Sequence, residues 1–139
     1  MDLQEKSAPP PPSSAKILLT HFDWTLQRME EVLKNEKTDY FRDAALHRFS
    51  LTYDLALKCI RAFAAERGQS CPSAQSCWQW ALESQVVDDR LSWEDIDASY
   101  HRVSQKLKGD AAEVVYQKLD TYYQLMKTLY AGLSNLGGS

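Results

Sequence analysis

The stretch ALHRFSLTYDLALKCIRAF, from Ala45 to Phe63, decides the fold. Large and small apolar side chains recur in it at three- and four-residue spacing, which places them on one face of an α-helix: Phe49, Tyr53, Ala56, Ile60 and Phe63. A second apolar line follows another side of the same helix, at Leu51, Leu55 and Ala62. Because a helix that is apolar on two sides is usually buried between partners, this stretch predicts the central helix of a bundle.

Polar side chains lie between the two apolar lines of this helix, at Arg48, Asp54, Lys58 and Arg61. Asp54 precedes Lys58 by four residues, which is the favourable order for an ion pair on a helix. These residues form either a salt-bridged seam or a binding site.

The composition excludes several classes of protein. The chain has 139 residues, with 44% hydrophobic and 25% charged residues, as expected for one globular domain. Its formal net charge of −3 argues against a dedicated binder of duplex DNA. No apolar run approaches the roughly 18 residues of a membrane span, and no secretory signal is evident, so we expect a soluble, cytoplasmic protein.

Few glycines and no clusters of β-branched residues predict an all-α fold, an up-and-down four-helix bundle with one additional short helix. Residues 1–14 include four consecutive prolines and predict a disordered tail. The bundle is expected over residues 15–133, followed by a flexible tail at 134–139.

Turn and capping residues predict where five helices begin and end. The first is expected from Ile17 to near Asn35, and the second begins at a cap formed by Asp39 and ends at Gly68. Pro72 suits the first turn of a third helix, which carries Trp78, Ala81, Leu82 and Val86. Ser92 with Asp95 predicts a fourth helix from Trp93 to Gly109, and Asp110 with Glu113 predicts a single last helix.

No motif in the chain requires catalysis, and none predicts a cofactor. Cys59, Cys71 and Cys77 lack the spacing of a zinc site, and Cys59 is expected to be a small core residue. Five acidic residues either bind a divalent cation or form a solvated face with capping acids: Asp88, Asp89, Glu94, Asp95 and Asp97. Positive charge at the end of the predicted fourth helix either complements the helix dipole or receives a nucleotide phosphate, at His101, Arg102, Lys106 and Lys108.

The segment RFSLTYDLALK, Arg48–Lys58, resembles the RFEFTYELAWK signature of the nucleotidyltransferase substrate-binding proteins, which belong to the HEPN group of helical bundles. The similarity continues through Cys71-Pro72, Trp93 and the segment AEVVY at residues 112–116, and it covers roughly Ile17 to Leu133.

The resemblance implies that this chain pairs with a separately encoded minimal nucleotidyltransferase, which performs the transfer chemistry, and that it also forms a homodimer. Such pairs resemble toxin–antitoxin modules, and some HEPN proteins are ribonucleases that use an Arg-Asn dipeptide followed by His. In this chain those positions fall on Tyr100, His101 and Gln105, so none of the three matches. This departure argues against ribonuclease activity.

The leading hypothesis is therefore a non-catalytic helical subunit that binds a nucleotidyltransferase and contributes a substrate- or nucleotide-binding surface. We expect that surface to comprise Arg48, Asp54, Lys58, His101, Arg102 and Lys106. Lys58 and Arg102 would contact an anion, and Asp54 would orient Lys58. The alternatives are a HEPN ribonuclease toxin with a shifted or degenerate motif, acting through His101 and Arg102, and a purely structural homodimer.

The second apolar line of the central helix and four tryptophans also favour a homodimer, because aromatic side chains are enriched at protein interfaces. These tryptophans are Trp24, Trp78, Trp80 and Trp93.

Overall fold

The fold is a bundle of helices, seen in a computed structural model that describes residues 14–35, 37–88, 90–105 and 107–138. Within these residues there are six helices and no strand: α1 Ser14–Leu33, α2 Asp39–Glu66, α3 Ala74–Glu83, α4 Arg90–Val103, α5 Gly109–Tyr116 and α6 Leu119–Gly138. The all-α prediction is confirmed. The proline-rich segment predicted as a disordered tail lies outside the described residues, except for Ser14, which begins α1.

Helix α2 is the central element, as its sequence predicts, because it packs against each of the other five helices. The first apolar line is buried along its whole length, from Phe49 to Phe63. The second line was predicted wrongly, since Leu51 is 38% exposed while Leu55 and Ala62 are only partly buried. The side chains that extend the buried face are mostly small ones, at Ala45, Thr52, Cys59 and Ala64.

Cys59 is a core residue, as expected, with no exposed surface. Burial raises the pKa of its thiol to about 12, because the interior disfavours the charged thiolate. This cysteine is therefore an inert packing residue at neutral pH.

The helix starts differ from the predicted ones by one to three residues. Thr38, not Asp39, caps α2, and its hydroxyl accepts a hydrogen bond from the Phe41 amide at 3.1 Å. Helix α3 begins after Pro72, where Ser73 and Ser76 form a reciprocal capping box. Helix α4 already begins at Arg90, so Ser92 lies inside the helix rather than at its cap.

Helix α3 ends in a Schellman motif, which places Val86 beyond the helix rather than on it as predicted. Gln85 has a positive φ of 60°, and the amide of Val86 donates to the Ala81 carbonyl at 2.9 Å. The amide of Gln85 donates to the Leu82 carbonyl at 3.1 Å. This turn buries Val86 against the bundle, where it approaches Gly132 of α6.

The sequence predicts a single last helix, but the structure has two, because a turn at residues 117 and 118 interrupts the helix between Tyr116 and Leu119. Gly109 begins α5 and does not end α4, which stops at Val103. Helix α6 continues through Gly138, so most of the predicted flexible tail is helical.

Three of the four tryptophans that were expected to favour a homodimer are buried in the core of this chain. Trp78, Trp80 and Trp93 are buried, whereas Trp24 is 53% exposed and lies under the guanidinium of Arg28, 5.2 Å from the ring centroid. Their burial removes the aromatic argument for a homodimer at three of the four positions. Among the described helices, none has both the length and the apolar character needed to cross a membrane.

Candidate functional site

Three tyrosine–aspartate hydrogen bonds, all partly buried, join α4 to its neighbours. Tyr53 of α2 donates to Asp97 at 2.6 Å, Tyr100 of α4 donates to Asp54 of α2 at 2.5 Å, and Tyr122 of α6 donates to Asp95 at 2.6 Å. We call these six residues the tyrosine–aspartate network. Hydrogen bonds from a hydroxyl to a charged carboxylate are short and strong, so the network fixes the position of α4 on α2 and α6.

Tyr53 connects the network to the tryptophans of the core. Its hydroxyl accepts a hydrogen bond from the Trp78 indole at 3.0 Å while donating to Asp97. The Trp78 ring stacks on Trp93 with centroids 4.1 Å apart and planes 13° from parallel. Asp97 also lies 3.4 Å from the imidazole of His101, which is mostly exposed. A buried indole is thereby linked through Tyr53 and Asp97 to a histidine at the surface.

The Tyr122 end of the network carries a second set of polar contacts. The Ser99 hydroxyl lies 2.7 Å from the Tyr122 oxygen, and the Lys118 ammonium lies 3.2 Å from Asp95. The hydrogen bond from Tyr122 lowers the pKa of Asp95 below its ordinary value, and Lys118 lowers it further, although partial burial opposes both. Asp95 is therefore held in its charged form.

The tyrosines of the network stay protonated at neutral pH. The hydrogen bond to Asp54 and then burial raise the pKa of Tyr100 to about 12. Burial first, and then the hydrogen bond to Asp97, raises the pKa of Tyr53 above its ordinary value. Burial and the bond to Asp95 also raise the pKa of Tyr122, whereas the Ser99 hydroxyl and the charge of Arg102 act in the opposite direction. These hydroxyls are hydrogen-bond donors and not phenolate nucleophiles.

We expect the lowered pKa of Asp95 to make stability fall in acid. The unfolded chain binds a proton at the ordinary pKa of Asp95, before the folded chain does as pH decreases, so the stabilisation is present above about pH 5 and is lost below about pH 4. The free energy of unfolding, measured with urea between pH 6 and pH 3, should decline less steeply in Asp95→Asn. Asp88→Asn, at an exposed loop position, should decline like the wild type. Equal slopes in all three proteins would contradict the role of Asp95.

Five of the six predicted site residues lie within the described residues, on α2 and α4. Arg48 is half-buried and Lys58 is exposed on α2, while His101 and Arg102 are exposed near the end of α4. Two of the six contact residues of α4. Asp54 accepts the hydrogen bond from Tyr100, and His101 lies beside Asp97. The positive charge of Arg102 instead favours a lower pKa for Tyr122, which lies on α6. Lys106 lies outside the described residues.

The predicted pairing of Asp54 with Lys58 is wrong. Both residues are described, and no ion pair within 4 Å joins them in that part of the chain; Asp54 accepts the Tyr100 hydroxyl instead. A donor on a facing helix thus replaces the local helical partner. Across the described residues, Arg48, Lys58 and Arg102 have no ion pair, so their charges can contact an anion.

A cleft of about 270 Å³ opens between α3 and α4 beside Asp97. Three apolar side chains line it, at Trp78, Leu82 and Trp93, and four polar ones, at Gln75, Gln79, Glu94 and Asp97. The two stacked indoles and the Tyr53 hydrogen bond hold this wall in place. The cleft is therefore a preformed cavity with an apolar wall and two carboxylates.

Most residues of the network and of the cleft are not among the six predicted site residues. The sequence pattern places Tyr53 in the apolar line of the central helix and Trp78 among the tryptophans that favour a homodimer. It assigns the acids of α4 to a solvated face or a cation site. One feature of the sequence does indicate such a network, because a tyrosine or tryptophan in the core needs a hydrogen-bond partner for its hydroxyl or indole N–H. Sequence spacing could not identify that partner, because Tyr53 and Asp97 are 44 residues apart. Within the described residues, no three His, Cys, Asp or Glu side chains are grouped so as to hold a metal ion.

Comparison with known proteins gives one match. The family model described as "Nucleotidyltransferase substrate binding protein like" matches residues 18–135, which is most of the chain and includes at least part of every described helix. No curated protein matches the sequence.

Proposed function

We propose that this chain, which belongs to the nucleotidyltransferase substrate-binding protein-like family, is a non-catalytic subunit that binds a separately encoded minimal nucleotidyltransferase. In this complex the partner performs the transfer reaction, and the helical chain contributes a surface that binds substrate or nucleotide. The family match over residues 18–135 is the observation that carries the proposal.

The geometry supports a binding role over a catalytic one. The three network tyrosines have raised pKa values and are engaged as donors, and Asp97 and Asp54 accept their hydrogen bonds. The residues at the ribonuclease positions are Tyr100, His101 and Gln105, and Tyr100 donates to Asp54. Such groups hold helices together and shape a cleft.

The first experiment is recovery of the tagged chain from its own cells, followed by mass spectrometry and sizing of the eluted complex. We expect a small nucleotidyltransferase in equal amounts. Purified chain incubated with RNA should give no cleavage. The competing ribonuclease hypothesis predicts cleavage that is lost in the His101→Ala, Arg102→Ala double variant, and that result would replace the proposal.

Lys58→Ala is expected to weaken binding of a nucleoside triphosphate to the two-chain complex by about 3- to 10-fold, because Lys58 is an exposed cation outside the ion pairs of the described residues. Isothermal titration calorimetry measures the change. Lys34→Ala, at an exposed lysine directly after α1 that is ion-paired with Glu30, is the matched control and should bind like the wild type. Unchanged affinity in a folded Lys58→Ala protein would remove this lysine from the nucleotide surface.

We also propose that the chain forms a homodimer. The family resemblance supports this more than the aromatic surface does, because Trp24 is the one exposed residue of the four tryptophans. Sedimentation velocity at about 10 µM, which lies within the affinity range of stable interfaces, should show a homodimer. A monomer under these conditions would contradict this part of the proposal.

A further inference from the structure

Two of the three cysteines lie side by side where the chain enters α3. The thiol of Cys77 donates a hydrogen bond to the backbone carbonyl of Cys71 at 3.3 Å, and it also forms a hydrogen bond with the Cys71 thiol. Neither cysteine is in a disulfide. Cys71 keeps 6% of its surface exposed, whereas Cys77 has no exposed surface. The two thiols are therefore neighbours, with Cys71 on the solvent side.

A surface cavity of about 360 Å³ gives access to this pair from solvent. The cavity lies between the last turns of α2 and the loop that leads to α3, and its lining includes Arg61, Cys71 and Pro72. Cys77 is not among the lining residues. A small molecule in the cavity can therefore meet Cys71, and it can reach Cys77 only through Cys71.

Arg61 of α2 contacts both cysteines. Its Nε donates to the carbonyl of Cys71 at 3.2 Å, and this is the oxygen that also accepts the Cys77 thiol. Burial and then the contact with Cys71 raise the pKa of the Cys77 thiol, whereas the charge of Arg61 and its hydrogen bond act in the opposite direction. A guanidinium beside a thiol stabilises the thiolate, which is the form that attacks a disulfide.

Cys59 shows how a purely structural cysteine of this chain differs from the pair. It has no exposed surface, and burial alone raises the pKa of its thiol. Cys71 and Cys77 have in addition a second thiol in contact, a cation beside them and a route to solvent. Reactive cysteines are found in electropositive and partly accessible surroundings, which the pair has and Cys59 lacks.

We propose that Cys71 and Cys77 form a redox-active dithiol, which low-molecular-weight disulfides convert to an intrachain disulfide. In the first step the Cys71 thiolate attacks one sulfur of the small disulfide, so a mixed disulfide forms at Cys71 and the other half leaves as a thiolate. In the second step the Cys77 thiolate attacks the Cys71 sulfur and releases the remaining half. The protein loses two electrons and two protons, and the small disulfide is reduced to two thiols.

The second step needs little movement of the chain. Thiols in hydrogen-bond contact can approach to the S–S bond length of about 2 Å through changes in their side-chain torsions. The disulfide would replace the hydrogen bond from Cys77 to the Cys71 carbonyl and would cross-link the first turns of α3 to the preceding loop. This inference is independent of the proposed function, because every group in it belongs to this chain.

The test exposes the folded full chain to excess glutathione disulfide at about pH 8, where thiolates form more readily. The remaining thiols are then alkylated, and the unreduced tryptic peptides are weighed by mass spectrometry. Trypsin cleaves after Arg67 and Arg90, so the pair stays together on the peptide of residues 68–90, whereas Cys59 is released on a separate peptide, residues 59–61.

We expect the peptide of residues 68–90 to escape alkylation and to be about 2 Da lighter than its reduced form, because two hydrogen atoms are lost. Dithiothreitol should restore both thiols, and Cys59 should stay unoxidised throughout. A peptide that keeps its two thiols would overturn the inference. Oxidation of Cys59 as fast as that of the pair would overturn it as well, since the reaction would then reflect unfolding.

Single variants determine the order of the two steps. Cys77→Ser should stop at the mixed disulfide, so Cys71 keeps one glutathione and the peptide gains about 305 Da. Cys71→Ser should react at least about 10-fold more slowly, because the remaining thiol is buried. Equal rates in the two variants would overturn the role of Cys71 as the attacking thiol. Thermal unfolding checks that both are folded; if either is not, the wild-type peptide masses decide the inference.

Arg61 is expected to act as a positioning residue for the second step. Arg61→Gln should slow the conversion of the mixed disulfide to the intrachain disulfide by about 3- to 10-fold, and Arg61→Lys should restore most of the rate because it retains the charge. Lys34→Gln makes the same change in net charge directly after α1 and should react like the wild type. Equal rates in Arg61→Gln and the wild type would overturn the role of Arg61.

Discussion

Replacing Phe49 with alanine is expected to lower the free energy of unfolding by about 3–5 kcal/mol, the usual cost of removing a buried aromatic side chain. Phe49 has no exposed surface and lies at the centre of α2. Its ring stacks on Tyr122 of α6 at 5.4 Å and lies 6.3 Å from Tyr53. The variant therefore leaves a cavity beside two residues of the tyrosine–aspartate network, and urea denaturation at pH 7 measures the loss.

Leu51→Ala is the matched control for this variant. Leu51 lies two residues from Phe49 on the same helix and is equally apolar in the sequence pattern, but it is partly exposed. Its removal should cost less than about 1 kcal/mol, because most of the lost surface was already in contact with water. Similar losses in the two variants would show that Leu51 is buried in solution, as it would be at the interface of a homodimer.

Gly132→Ala is expected to lower the free energy of unfolding by about 2 kcal/mol or more, even though alanine is the better helix former by up to about 1 kcal/mol. A Cβ at this position of α6 would lie 2.5 Å from the carbonyl oxygen of Val86 and 2.9 Å from its Cγ1. The carbonyl belongs to the Schellman turn after α3, whose hydrogen bond to Ala81 resists movement. The added methyl group must push this turn away from α6.

Asn135→Ala provides the comparison on the same helix. Asn135 is exposed, so alanine should raise stability by a few tenths of a kcal/mol through helix propensity alone. Thermal and urea unfolding of both variants should therefore give opposite signs. A stabilised Gly132→Ala protein would show that the turn at Val86 yields without cost and that the close approach is unimportant.

The candidate site shows how a local pattern and a tertiary contact can compete for one side chain. The sequence places Lys58 one helical turn from Asp54, which predicts an ion pair worth a few tenths of a kcal/mol. The structure instead brings the Tyr100 hydroxyl to Asp54 at 2.5 Å. A short bond to a partly buried hydroxyl is stronger than a solvated pair on a helix surface, so the tertiary contact prevails.

The sequence by itself determined that the chain is an all-α bundle and that α2 is its central helix. It also determined that one apolar line of α2 faces the core, since this follows from the period of the α-helix: Phe49, Tyr53, Ala56, Ile60 and Phe63. The motif in Arg48–Lys58 also indicated the family. Only the tertiary structure decided that Leu51 faces outward, that the last helix is split, and that the acids of α4 meet tyrosines of α2 and α6. The period of apolar residues indicates which side of a helix is apolar. The hydrogen-bond partner of a buried hydroxyl depends instead on how helices that are far apart in the sequence pack together, and local spacing does not determine that packing.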